Sequence, residues 1–281
     1  MVVNFFVKLL GAGDGQDLIE GLQKYPGHEL VLARSIVSFA ISLFIIKQRK
    51  LPVFGNNKKW LIIRGVSGTI ALTIFFYTIH YLPFAIASII QYLAPIFTVI
   101  FAMILLKERV KALQWFFIGL SFIGVALIAL NKIYGNPTST EEISFFWLGW
   151  GIFAAVFSGI AYVSIMMLRH TDEPITIVFY FPMIAMPIMI ILCLFDFTIP
   201  QGIEWLFLLI IGIFTQFAQI LLTKALHNGS ASTITPFQYL GAIYAFLIGY
   251  FVFHETLSLI VDIGILLVIS GVLVNAVLRK R

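Results

Sequence analysis

The middle of the chain is written again at its end. Residues 91–110, QYLAPIFTVIFAMILLKERV, return 147 positions later as QYLGAIYAFLIGYFVFHETL at 238–257. His80, Gln91, Tyr92, Leu93, Glu108, Gly124 and Val125 fall without a gap on His227, Gln238, Tyr239, Leu240, Glu255, Gly271 and Val272. Both segments are apolar over the ~20 residues that a helix needs to cross a hydrocarbon layer of ~30 Å. Membrane-length segments that recur at a fixed offset constrain the chain to two copies of one helical set, the plan of carriers built from internal repeats.

Composition places the chain in a bilayer. It is 60% hydrophobic and only 11% charged, with a mean hydropathy of +1.02, against about 25% charge in a soluble domain. Its 28 Phe and the lack of strand-like alternation predict helices rather than a barrel. The lone Cys193 excludes a disulfide frame and a CxxC metal site. Neither HExxH nor GxSxG occurs and acids do not cluster, so no catalytic residue, metal or cofactor is expected. The loops are short, which leaves no room for a soluble catalytic or nucleic-acid-binding domain. The basic loop 47–59 is explained by contact with anionic lipid, so the expected partners are the bilayer and a small molecule, with no nucleic acid.

Apolar runs mark spans at 29–47, 60–80, 84–106, 112–131, 146–168, 174–195, 203–224, 231–253 and 258–278. A tenth, over residues 1–12, would reach only about 18 Å as a helix. Five spans per copy give a first repeat at 1–131, an outer linker at 132–145 and a second repeat at 146–281. With the start of the chain in the cytoplasm, fourteen of the 18 Lys and Arg fall on cytoplasmic ends, Arg64 among them. Only Lys24 and Lys132 fall in outer loops, while Lys8 and Arg34 sit within spans. This bias predicts both termini in the cytoplasm. An odd number of spans per repeat then inverts the second copy, the arrangement that alternating access uses.

Ten spans in inverted five-helix repeats, with YLAPIFTVIFAMILLKERV in the fourth, TPFQYLGAIYAFLIGYFVFHE in the ninth, IGLSFIGVALI at 118–128 and ISGVLVN at 269–275, resemble the drug/metabolite transporter superfamily, EamA type. The resemblance covers nearly the whole chain. It implies an all-α integral membrane fold of about ten transmembrane helices in the cytoplasmic (plasma) membrane, exporting or exchanging small metabolites. Amino acids come first; S-adenosylmethionine, nucleoside-type solutes or drugs are the alternative. A homodimer is open to such a chain, though no residue demands one. The piece NFFVKLL resembles the second half of the family's first helix, which predicts a start upstream of Met1.

Pro95 and Pro236 are expected to interrupt the fourth and ninth helices, where Gln91, Tyr92, Thr235, Gln238 and Tyr239 supply polar groups at matched depth. These line the expected path; the alternative is glutamines bonded between helices. Thr69, Thr73 and Tyr77 on the third helix, Gln216, Gln219 and Thr223 on one face of the eighth, and Ser158 and Tyr162 on the sixth extend the candidate site. The stripe Ala94, Thr98, Ala102, with Gly241, Ala245 and Gly249 as its repeat, reads as close helix packing. Lys8, on a helix that lines the path in the family, and Arg34 either snorkel to the interface, the expected fate of a long cation, or attract a carboxylate or phosphate. Glu108 and Glu255 read as helix ends or gate elements, and His80 and His227 as polar caps. No Asp or Glu falls mid-span, so the expected mode is facilitation or exchange rather than proton drive.

Overall fold

The computed structural model describes residues 2–11, 22–81, 87, 90–134, 145–241, 260, 263–264 and 266–271. Helices occupy Val2–Leu10 (α1), Gly27–Gln48 (α2), Lys58–Tyr81 (α3), Ala94–Leu105 (α4), Ala112–Tyr134 (α5), Phe145–Met167 (α6), Pro174–Cys193 (α7), Glu204–Asn228 (α8) and Ala231–Ile234 (α9), and Thr235–Tyr239 forms a 3₁₀ turn. Among the described residues no strand forms beyond an isolated bridge between Gly11 and Tyr25. Five helices, α2, α3, α6, α7 and α8, are long and apolar enough to cross a membrane. Their outward side chains suit that solvent: Phe44 is 66% exposed, Phe217 63% and Leu221 65%. In water such apolar surface would drive association; against lipid it is ordinary contact.

The chain folds into two compact units that draw on both halves of the sequence. One holds residues 2–81 and 160–228; the other holds 82–159 and 229–281. Helix α6 begins in the second unit and ends in the first. In the six-helix unit, α2 packs between α7 and α8, α3 lies on α7, and α1 lies on α8. Glycines set these approaches. A Cβ at Gly212 of α8 would fall 2.5 Å from the Val37 Cβ on α2, and one at Gly65 of α3 would fall 2.8 Å from the Tyr180 carbonyl on α7. In the other unit, α4 and α5 pack against the 3₁₀ turn, and Gly159 of α6 lets Phe97 of α4 come close.

In their described parts the spans at 84–106 and 231–253 are interrupted near Pro95 and Pro236. Ile90 and Gln91 are helical, Tyr92 and Leu93 turn, and α4 starts at Ala94 with Pro95 in its first turn. Proline has no N–H to give the Gln91 carbonyl four residues back and its ring crowds that carbonyl, so a first-turn position costs it least, although α7 carries Pro182 and Pro187 within its length. In the second copy the chain leaves α9 through the 3₁₀ turn that contains Pro236, a few residues earlier in the repeat than Pro95. Helix α4 then ends early: Lys107 adopts φ 53°, and the Glu108 N–H closes on the Ala102 carbonyl at 3.3 Å, a C-terminal cap with a left-handed residue.

Gly65→Val should lower stability by about 1–3 kcal/mol, because the obstructing atom is backbone and cannot rotate away. A lower thermal midpoint is expected for this variant, and an unchanged one for Gly119→Ala, whose Cβ would meet nothing within 4 Å.

Candidate substrate site

The residues singled out from sequence fall into two clusters, one in each unit. The four-and-ninth-helix set gathers around the helix breaks. The rings of Tyr92 and Tyr239 lie 5.9 Å apart between centroids. The Gln91 amide donates to the Ser158 hydroxyl at 3.4 Å, a long bond that binds weakly. Thr235 and Tyr239 are fully buried at 0% exposure. Yet the Gln91 Oε1, Thr235 Oγ1, Gln238 Nε2 and Tyr239 hydroxyl are buried without a hydrogen-bond partner. Pro95 is buried beside them in the first turn of α4. Such atoms are costly in an apolar interior, about 1–3 kcal/mol each, unless something else meets them.

On α4 the members of the small-residue stripe are buried. Ala94, Thr98 and Ala102 are buried at 1%, 0% and 0% exposure, and the Thr98 hydroxyl donates back to the Ala94 carbonyl at 2.8 Å. Ala245 and Gly249 lie outside the described residues.

In the six-helix unit most candidates are already engaged. The Gln216 amide donates to the Ser42 hydroxyl at 2.8 Å and ties α8 to α2. Tyr77 lies 2.6 Å from the His28 Nδ1, and the His28 Nε2 lies 2.9 Å from the Asp196 carbonyl. A carbonyl only accepts, so Nε2 carries the proton, and in the neutral ring Nδ1 accepts from the tyrosine. Thr73 reaches only the Met189 sulfur at 4.0 Å. Thr69 bonds back to the Gly65 carbonyl at 2.8 Å, and the buried Thr223 hydroxyl has no partner.

Two arginines depart from expectation. Arg34 does not snorkel: it is 3% exposed and its guanidinium sits 5.1 Å from the centre of the Phe181 ring. Arg64 is not a solvated loop cation: it is 2% exposed, lies 6.0 Å from the same ring, and donates to the Gln219 side-chain oxygen at 3.0 Å. Arg64 stands seven residues into α3, about 9 Å along its axis. The charge-rich start KKWLIIR hid it among loop cations; four apolar or aromatic residues before it were the signal that it is inside. Tyr162 is the titratable neighbour of both arginines.

The caps are as polar ends should be. The Glu108 carboxylate accepts from the Ala231 N–H at 3.2 Å, at the start of α9, and the His227 ring lies 3.1 Å from the Asp172 carbonyl. His80 packs against Gly11. Sequence reading missed three buried acids that tie down loops, one of them Asp172, which accepts from the Asn56 N–H at 2.5 Å and the Asn57 N–H at 3.1 Å. Glu204 accepts from the Tyr25 hydroxyl at 2.5 Å and the Gln201 N–H at 2.7 Å. Burial first, then this carboxylate, raises the Tyr25 pKa, so its proton stays in the bond. Glu29 accepts from the Thr198 N–H at 3.0 Å. The Lys8 side chain and Glu255 lie outside the described residues, and among those described no group of His, Cys, Asp and Glu could hold a metal ion.

A helical bundle with lipid-facing apolar flanks, interrupted helices and buried polar clusters is a multi-pass membrane transporter. The EamA-like transporter family matches residues 20–130 and again 145–277, and the chain belongs to it. It is 28% identical to the pseudopaline exporter CntI of Pseudomonas aeruginosa (strain UCBPP-PA14) over 78% of this chain and 75% of that protein. To solute carrier family 35 member G1 of Homo sapiens it is 27% identical, over 95% and 75%. A crystal structure matches at TM-score 0.73 and 18% identity over 100% of this chain and 97% of that one, which shows the shared fold. The chain is thus a transporter of the drug/metabolite transporter superfamily, acting on a small molecule within a membrane, and not an enzyme.

The two kinds of polar group should separate on mutation. Gln216→Leu orphans Ser42 and should cost about 0.6–1.7 kcal/mol of stability. Tyr239→Phe removes a hydroxyl that bonds to nothing, so the thermal midpoint should hold while substrate affinity falls. Thermal unfolding and substrate titration on both variants check this.

Proposed function

We propose that the protein exports or exchanges a small metabolite by alternating access, with two inverted five-helix repeats at 1–131 and 146–281 working around the cluster at the helix breaks. The observation that carries this reading is the set of buried, unpartnered polar atoms on Gln91, Thr235, Gln238 and Tyr239. They stand where two repeat-related helices are interrupted, and unwound backbone at membrane depth is tolerated where it lines a cavity or a substrate path. Amides, hydroxyls and a tyrosine pair suit a partly polar or aromatic solute, so amino acids and related metabolites are the first class. The export named for the Pseudomonas relative supports outward flux. S-adenosylmethionine or a nucleoside-like solute is the second class, and Gln91, Tyr92, Pro95, Ser158, Thr235, Gln238 and Tyr239 are the proposed contacts. The plasma membrane, with both termini cytoplasmic, is the proposed setting, supported by the distribution of Lys and Arg.

The mechanism uses little titration. Among the described residues the buried carboxylates Glu29 and Glu204 are engaged near helix ends, which fits movement along solute gradients. Counterflow in liposomes loaded with unlabelled amino acids, S-adenosylmethionine or nucleosides is expected to accumulate label for one class. Gln91→Ala and Gln238→Ala should each weaken it about tenfold or more. Downhill flux without counterflow would replace the carrier by a channel.

A further inference from the structure

Building on the carrier reading, we propose that Arg34 and Arg64 are the recognition site for an oxyanion on the transported solute, a carboxylate or a phosphate ester. Both guanidinium groups are buried, at 3% and 2% exposure, and they are electrostatic neighbours of one another. Arginine keeps its proton in proteins, so two like charges share one apolar interior. The Arg34 Nε and Nη2 and the Arg64 Nε have no hydrogen-bond partner. Arg64 holds only the neutral amide of Gln219.

No carboxylate among the described residues answers these charges. Glu29 accepts from Thr198 with one oxygen, its other being buried and bonded to neither arginine, while Asp172 is taken by Asn56 and Asn57, Glu204 by Tyr25 and Gln201, and Glu108 by Ala231. The shared Phe181 face offers a cation–π contact to each guanidinium, which replaces only a fraction of the lost hydration. A counter-charge must come from elsewhere, and a bound anion supplies it.

The surroundings look built to hold the pair. Gly68 leaves the space that Arg64 occupies, since a Cβ there would overlap the Arg64 Nη1. Ser38, one turn after Arg34 on the same face of α2, adds a buried hydroxyl without a partner, and Tyr162 adds another hydroxyl nearby. The planar forks of two arginines match the paired oxygens of a carboxylate or phosphate, which a pair of lysines would not.

The test is thermal unfolding of the purified full chain with succinate, its uncharged diamide, glycerol 3-phosphate, or glycerol. A saturable upward shift with an anion and none with its neutral match is expected. The apparent Kd should weaken about tenfold or more in Arg34→Gln and in Arg64→Gln. Gly68→Ala, which keeps both charges but takes the guanidinium's space, should weaken it too, whereas Arg34→Lys should recover part of what Arg34→Gln loses. A response to succinate alone assigns a carboxylate, and one to glycerol 3-phosphate alone a phosphate ester. Folded wild type that answers none of the four, or anion and neutral match alike, overturns the site, as do glutamine variants with wild-type affinity. Counterflow on the same proteins separates this site from the carrier reading. Anion binding with no counterflow of any solute keeps the site and removes the carrier. Counterflow of uncharged solutes alone, unchanged in Arg34→Gln, keeps the carrier and removes the site.

Discussion

Inside hydrocarbon there is no water to satisfy a polar atom, so each must find a partner in the protein or in what the protein binds. That one constraint sorts the side chains of this transporter. Glu204, Glu29, Asp172, His28 and Gln216 have partners at hydrogen-bond distance, and each bond joins segments far apart in the chain. They hold loops to helices and helices to one another. The other oxygen of Glu29, the Gln216 Oε1, and atoms of Arg34, Arg64, Gln91, Thr235, Gln238 and Tyr239 are buried with none. The bonded atoms belong to the scaffold, and in the proposed reading the unbonded atoms at the helix breaks and on the two arginines are where a solute has something to offer.

The helix breaks follow from the same rule. Proline removes a donor that a membrane helix cannot replace from solvent; α7 accommodates Pro182 and Pro187 within its length, whereas Pro95 and Pro236 sit in a first helical turn and a 3₁₀ turn. The break leaves Tyr92 free of helical geometry, and the ring meets Tyr239, its repeat-related partner. Glu108, just past the other end of α4, reaches the Ala231 N–H at the start of α9. The residues flanking α4 at both ends therefore meet the segment 231–239.

Much of this was legible in one dimension. The apolar runs mark α2, α3, α6, α7 and α8 to within a few residues, because a membrane helix must be apolar for its whole length. The 147-residue offset picked out Gln91, Tyr92, Gln238 and Tyr239 because a repeated polar residue in a repeated apolar segment has few explanations. What a glutamine does was not legible, since that depends on the neighbouring helix: Gln216 meets Ser42, and Gln219 meets Arg64. The burial of Arg64 was not legible because charge counting treats every cation near a span end alike, whether solvated or packed inside. The pairing of Arg34 with Arg64 over Phe181 needs three helices, and no spacing within one segment encodes it.

The central claim is that the cluster at the helix breaks faces one side of the membrane and then the other. Cys193 is the chain's single cysteine, so Cys193→Ser gives a background in which Tyr239→Cys can be labelled alone. A membrane-impermeant maleimide, applied to sealed vesicles from either side, reads the exposure of that position directly. Alternating access is expected to give labelling from both faces, with one rate falling as the other rises when substrate is supplied on one side only. Labelling from a single face, or from both at rates indifferent to substrate, would contradict it.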